Sequence, residues 1–221
     1  MQILFIGKDR DDYFFELAKA FMRQHFTDVE MLLATPGSKL PDEYKNWKGD
    51  YLISYLCPWI IPAELINNSK FGAINFHPGP PEYPGSGCTN FAIYHGVEEY
   101  GVTCHYMAPK VDSGKIIAIR RFPVLESDTV WSVTQRCYAF MLPLFFEIMT
   151  SIRLGQPLPE SDEKWSREAY RMKEFQKLKK ITADMEEKEI QRRIRAATYP
   201  GYEGAFIEVA GSRFFFKADK H

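Results

Sequence analysis

Between residues 2 and 76, short apolar runs alternate with amphipathic or polar stretches, and this rhythm narrows the possible folds more than any other feature. Residues 2–7 form an apolar run ending in Gly7, as expected of a buried first strand. Residues 11–24, beginning at Asp11, carry helical periodicity through Phe14, Leu17, Ala18 and Phe21. Further buried strands are predicted at 29–34 and 51–56, separated by a loop-like stretch at 37–48. A short helix at 62–68 then leads to a fourth strand at 72–76. Strand, helix, strand in this order predicts a parallel sheet covered by helices. Ligands of such sheets bind beyond the carboxyl ends of the strands. Residues 54–58 and the loop around His77 therefore share one rim.

Beyond residue 100 the pattern changes. Strands are predicted at 101–107 and 116–122, joined by a loop carrying Asp112. Asp128 can cap a long helix running to about Arg153, with Gly155 and Pro157 stopping it. Pro143 should kink or interrupt that helix near Met141. Residues 157–180 are polar, mixed and without clear periodicity. A charged helix follows at 184–197, with Asp184 and Glu187 at capping-box spacing. Residues 205–209 and 213–217 flank Ala210-Gly211-Ser212 as a β-hairpin. The expected fold is thus α/β: a Rossmann-like, mostly parallel twisted sheet flanked by helices, with a small C-terminal helix plus β-hairpin extension. The expected division is a main domain over 1–180 and the extension over 181–221.

Two turn-flanked blocks carry the chemistry. Asn75-Phe76-His77-Pro78-Gly79 is followed, 35 residues after its His, by Val111-Asp112-Ser113-Gly114. An amide, an imidazole and a carboxylate beside turn-forming residues suit transfer of a one-carbon acyl unit to an amine. The amide can hold the acyl oxygen, the imidazole can stabilise or protonate it, and the carboxylate can orient the imidazole and help remove a proton. Taken alone, a His before Pro-Gly is a turn residue, and Asp-Ser-Gly is a turn or cap. Their co-occurrence reverses that reading.

The net charge of −1 gives no global pull toward nucleic acid or an anionic membrane. The four cysteines form no C-x-x-C pair, which predicts free thiols in a reducing compartment and no metal site. Residues 1–7 lack the basic start and long apolar run of a signal peptide, and no stretch approaches the ~20 apolar residues of a membrane span. A cytoplasmic protein is expected.

With those blocks in view, the chain resembles the folate-dependent formyltransferase superfamily. The resemblance is carried by residues 72–85, by Gly101-Val102-Thr103-Cys104-His105, and by residues 111–117, and spans roughly residues 1–155. It implies 10-formyltetrahydrofolate as formyl donor and Asn75, His77 and Asp112 as the catalytic positions. Asn75 would hydrogen-bond the formyl oxygen. His77 would support the oxyanion, and Asp112 would orient His77 and relay the proton leaving the amine. The donor's flat pterin is implied at Ser54, Leu56, Cys57 and Pro58, at Val102 and Cys104, and at Lys110 and Val111. The acceptor is implied near Pro78, Gly79, Tyr83, Gly85 and His105. Residues 54–62, Asn90-Phe91-Ala92-Ile93-Tyr94 and the tail 193–202 resemble the sugar N-formyltransferases. These formylate an amino-deoxysugar linked to a nucleotide, commonly dTDP, on the route to lipopolysaccharide O-antigens. The amine is commonly at sugar C4, less often C3.

Several residues keep plainer readings. His105 is expected to be structural or to support the site. Cys88, near the site but without an adjacent base, is not expected to be a nucleophile. Lys173, Lys177, Lys179 and Lys180 read as a solvated face. Phe214, Phe215 and Phe216 must bury against the main domain or a second subunit, which predicts a homodimer involving the hairpin. A tRNA acceptor would call for a basic C-terminal domain, and a hydrolase would use water with the same trio. A non-catalytic folate- or nucleotide-sugar-binding protein would not need an acid–base set.

Overall fold

The computed structural model describes residues 1–9, 12–35 and 37–217. Asp11, where the first helical pattern was expected to start, lies outside the described residues. Strand β1 (Gln2–Lys8) has Ile3, Leu4, Phe5 and Ile6 fully buried. Ile3 and Phe5 face one apolar cluster while Leu4 and Ile6 face another. A continuous apolar run is what a strand covered on both sides requires.

Helix α1 (Tyr13–His25) is capped by Asp12, whose Oδ1 accepts from Phe15 N at 3.1 Å. Then come β2 (Asp28–Ala34), β3 (Gly49–Tyr55), α2 (Ala63–Asn67) and β4 (Ser69–His77). Helix α3 (Cys88–His95), which the periodicity did not reveal, precedes β5 (Glu99–Tyr106) and β6 (Ile116–Pro123). The six strands order as β2-β1-β3-β4-β5-β6. The first four pair in parallel, and β5 and β6 add two antiparallel edges.

Helix α4 (Val130–Arg153) runs unbroken through Pro143. The expected interruption is corrected by packing: Met141, Leu142, Leu144, Phe145, Ile148 and Met149 are all buried in the main core. Burial at ~1.5–3 kcal/mol per large side chain outweighs the ~3 kcal/mol that an internal proline costs. Thr129, not Asp128, is the N-cap; Asp128 instead receives a two-point bond from Arg136, both arms 2.9 Å.

The segment after residue 157 contains α5 (Met172–Lys179) and then the two-residue β7 (Lys180–Ile181). Helix α6 (Glu187–Ala197) starts three residues later than its predicted Asp184 cap, with Glu186 in the N-cap position. Strands β8 (Phe206–Val209) and β9 (Ser212–Phe215) form the expected hairpin, and β7 pairs in parallel with β8. Helix α6 ties this extension to the main body: Asn90 Nδ2 donates to Ala196 O at 2.7 Å, and Arg195 Nη2 to Asp128 O at 2.8 Å. No helix among the described residues is long and apolar enough to cross a membrane.

Candidate active site

The site sits where three neighbouring strands meet at one rim. Ser54 on β3 pairs with Asn75 on β4, and Asn75 pairs with His105 on β5. Alternation along β4 puts Asn75 and His77 on one face while Ile74 and Phe76 enter the main core on the other.

Asp112 comes from the β5–β6 connection, held in left-handed backbone at φ +41°. The turn is set by Gly114, where a Cβ would lie 1.8 Å from Tyr106 O. Only glycine lets the connection fold back this closely on the end of β5. The Asp112 side chain is 7% exposed and links two imidazoles: Oδ2 lies 3.3 Å from His77 Nδ1, and Oδ1 lies 3.3 Å from His105 Nε2. Gly85 N donates to Oδ2 at 2.7 Å, and Asn75 Nδ2 lies 3.4 Å from Oδ1. Burial pushes the carboxyl pKa up, but the His77 charge, the His105 contacts and the Gly85 amide outweigh it and hold Asp112 well below the usual carboxylate range. The group is therefore an anion at neutral pH.

His77 is clamped on both nitrogens. Nε2 lies 2.9 Å from Tyr83 O, a carbonyl that can only accept, and Nδ1 faces the Asp112 carboxylate. An imidazolium satisfies both partners. The loop behind it is anchored from the core: Pro78 O accepts from Tyr100 OH at 3.2 Å and Cys88 Sγ at 3.4 Å, and Gly79 O from Thr103 Oγ1 at 2.8 Å. Burial pushes the Cys88 thiol up, which removes it as a thiolate nucleophile.

A strap from the unpatterned segment covers this group. Trp165 Nε1 donates to Gly114 O at 2.8 Å, and its ring stands edge-on to His105 and His77 at 5.0 and 5.9 Å. Ion pairs Lys115–Glu160, Arg121–Glu163 and Lys110–Glu168 hold the strap at 2.9, 2.5 and 2.5 Å. Between strap and loop lies a cavity of about 320 Å³, lined by Lys110, Val111, Asp112, Ser113, Trp165 and Arg167, among others.

Asn75, His77 and Asp112 thus converge, and His105 joins them as a second imidazole on the same carboxylate. Lys110 and Val111 line the cavity, whereas Leu56, Cys57 and Pro58 lie outside its lining. Leu56 and Cys57 each pack partly buried against an apolar cluster. Val102 and Cys104 have fully buried side chains on β5 within the main core, which leaves only their backbone atoms for the pterin. Tyr83 is likewise buried, its ring against Tyr170 and its hydroxyl 3.0 Å from His95 Nδ1, and Gly79 is buried beside His77. Pro78 and Gly85 act through backbone atoms that fix the loop and Asp112. Sequence reasoning missed Trp165, for which the one available signal was a lone indole in a charged stretch. Ser54, expected beside the pterin, directs its hydroxyl instead to Asn75 Oδ1, donating at 2.7 Å.

The chain is similar to known formyl transferases. Residues 33–145, about half of the chain and spanning Ser54, Asn75, His77, His105 and Asp112, match the formyl transferase family model. The methionyl-tRNA formyltransferase of Pediococcus pentosaceus is 29% identical over 120 residues, 53% of this chain and 38% of that protein. The chain thus spans about two fifths of the length of the first curated relatives it matches. The GDP-perosamine N-formyltransferase of Brucella melitensis is 27% identical over 171 residues, 77% of this chain and 65% of that one. Among solved structures, a sugar N-formyltransferase from a Shewanella species superposes with TM-score 0.78 at 21% identity, covering 100% of this chain and 98% of that one. An N-formyltransferase from Helicobacter canadensis, in complex with folinic acid and dTDP-3-aminofucose, gives 0.73 at 16% identity, covering 96% and 86%.

Proposed function

The chain belongs to the formyl transferase family, and on that premise we propose that it is an enzyme moving a formyl group from 10-formyltetrahydrofolate to the amine of a nucleotide-linked amino sugar. The observation that carries this reading is the buried Asp112 carboxylate bridging His77 and His105 beside the Asn75 amide. Support for placing the donor here comes from Val111, whose apolar side chain is 45% exposed at a space of about 320 Å³ that opens on Asp112. Bound there, the donor supplies a formyl carbon open to attack by an amine.

The chain's residues supply the rest. Asn75 offers an amide N–H to the acyl oxygen, and His77, held by Tyr83 O and Asp112, supports the charge that develops on it. A pre-placed donor is worth about 3–4 kcal/mol of barrier. Asp112 takes up the proton released by the attacking amine, directly or through water, and the trio's proton transfers add about 10²–10⁴-fold in rate. Trp165 and the strap cover the imidazoles and reduce access of bulk water, which strengthens each of these interactions.

The acceptor reading draws on the Shewanella and Helicobacter neighbours, which this chain overlays along nearly its full length. A dTDP-linked 4-amino-4,6-dideoxysugar destined for O-antigen remains the favoured member of the class, with a 3-amino sugar as the alternative. The free thiols of Cys57, Cys88, Cys104 and Cys137 suit a cytoplasmic location. A homodimer belongs to the same reading. Phe216 packs in the satellite core, but Ile207, Val209 and Phe214 are 36, 53 and 60% exposed on one face of the hairpin. The test is a formyl-transfer assay with 10-formyltetrahydrofolate against dTDP- and GDP-linked amino sugars, with a no-acceptor control. Tetrahydrofolate release only with an amino sugar supports the reading. Release without acceptor identifies a hydrolase, and no release in any arm rejects formyl transfer to these acceptors.

A further inference from the structure

We infer that Ser54 is a positioning residue for this reaction, because its buried hydroxyl holds the far end of the Asn75 amide, whose orientation toward the reacting centre His105 and Asp112 select. The chemistry rests on the formyl-transfer reading; the structural part rests on hydrogen-bond direction alone. His105 Nδ1 lies 2.8 Å from Tyr106 O. A carbonyl only accepts, so Nδ1 carries the proton; in the neutral ring Nε2 then presents a lone pair, with the Asp112 Oδ1 anion 3.3 Å away and the Asn75 amide nitrogen nearer. That lone pair is 3.1 Å from Asn75 Nδ2, and Asp112 Oδ1 is 3.4 Å from the same nitrogen. Two acceptors at one end of the amide select its nitrogen for that place. The oxygen then faces Ser54, whose hydroxyl donates to it at 2.7 Å.

Direction therefore runs one way across three strands, from the Ser54 hydroxyl through the Asn75 amide and the His105 ring to Tyr106 O. The register of β3, β4 and β5 places these side chains in a row, and Ser54 is 2% exposed, so bulk water is no substitute donor. The two ends of an amide are nearly equal in size but opposite in function. With nitrogen toward the centre, Asn75 has a second N–H for an acyl oxygen. Turned over, it would present a lone pair to a developing oxyanion. Removing the Ser54 hydroxyl leaves Oδ1 unpartnered in a buried place, so the orientation that His105 and Asp112 select is no longer held against its far end.

The test has two arms on the full chain. Ser54→Ala should lose roughly tenfold to a hundredfold in kcat with the donor KM within about twofold of wild type. Ser54→Thr, which restores a hydroxyl, should recover most of that loss. Unchanged kcat in Ser54→Ala, or a loss confined to the donor KM, overturns the inference; the latter marks a residue that only lines the pterin site. The second arm needs no activity: ¹⁵N-histidine NMR, with His105 assigned from the His105→Gln spectrum. A protonated Nδ1 and a pyridine-type Nε2 are expected in the neutral ring, and a protonated Nε2 overturns the inference. If wild type formylates no acceptor while the His105 tautomer is as expected, the proposed function fails and the hydrogen-bond chain stands.

Discussion

Replacing Asp112 by Asn keeps its shape and removes its charge, and the surrounding donors dictate how the new amide sits. Gly85 N–H, 2.7 Å from Oδ2, requires an oxygen there, so the amide NH₂ replaces Oδ1. His77 Nδ1 keeps an oxygen at 3.3 Å, but a neutral one. Asn75 Nδ2, 3.4 Å from Oδ1, now meets another donor. Charge-assisted hydrogen bonds are worth ~1.5–3 kcal/mol each. Of the two imidazole contacts only that to His77 is charge-assisted, since His105 turns a lone pair toward Oδ1; at 3.3 Å it belongs at the weak end, about 1.5 kcal/mol or roughly one decade in rate. The variant also loses its proton acceptor. We therefore expect kcat to fall by ~10²–10⁴, with the acceptor KM changed by less than about threefold. The assay is initial-rate release of tetrahydrofolate at saturating acceptor. Turnover within about fivefold of wild type would show that Asp112 neither organises the imidazoles nor moves the proton.

Three further outcomes follow from the geometry. Because the Asp112 pKa is depressed in the fold, its charge stabilises the native state above the unfolded value of about 3.9, and that stabilisation is lost as pH falls below it. Urea midpoints of wild type and Asp112→Asn should keep a constant gap above about pH 5 and draw together progressively below about pH 4, and a gap that stays constant down to about pH 2 would contradict this. Gly114→Ala places a Cβ 1.8 Å from Tyr106 O and should cost about 1–3 kcal/mol or more, read as a fall in Tm; an unchanged Tm would mean the loop is not pinned there. Phe214→Glu puts a charge on the exposed hairpin face and should turn a dimer into a monomer by size-exclusion chromatography with light scattering. A monomeric wild type, or a variant that stays dimeric, removes the hairpin interface.

The parallel half of the fold and the trio were legible for local reasons. The run Ile3–Ile6 is hydrophobic on both faces of a strand and is buried on both. Asn75 and His77 lie two apart at a strand end, so alternation alone puts them together, and Asp112-Ser113-Gly114 is turn chemistry that the left-handed backbone of Asp112 uses. Local rules misled at Pro143 and at Asp184. Core packing carried the helix through the proline, and helix α6 begins after Glu186 rather than at the Asp184 cap. Strand β7 escaped notice because a two-residue strand has no period and exists only through its partner.

The sequence by itself determined that a helix-covered parallel sheet would bring an amide, an imidazole and an acidic turn to one rim, because each signal lies within a few residues of chain. Only the tertiary structure decided that Asp112 serves two imidazoles, that Trp165 roofs them, that Val102 and Cys104 belong to the core, and that Ser54 holds Asn75 from behind. Apart from Asp112 and His105, those relations join residues 21 to 88 positions apart through strand register and a strap crossing the loops. Hydrogen-bond direction and burial arise only when such segments meet, and no local pattern of residue types encodes them.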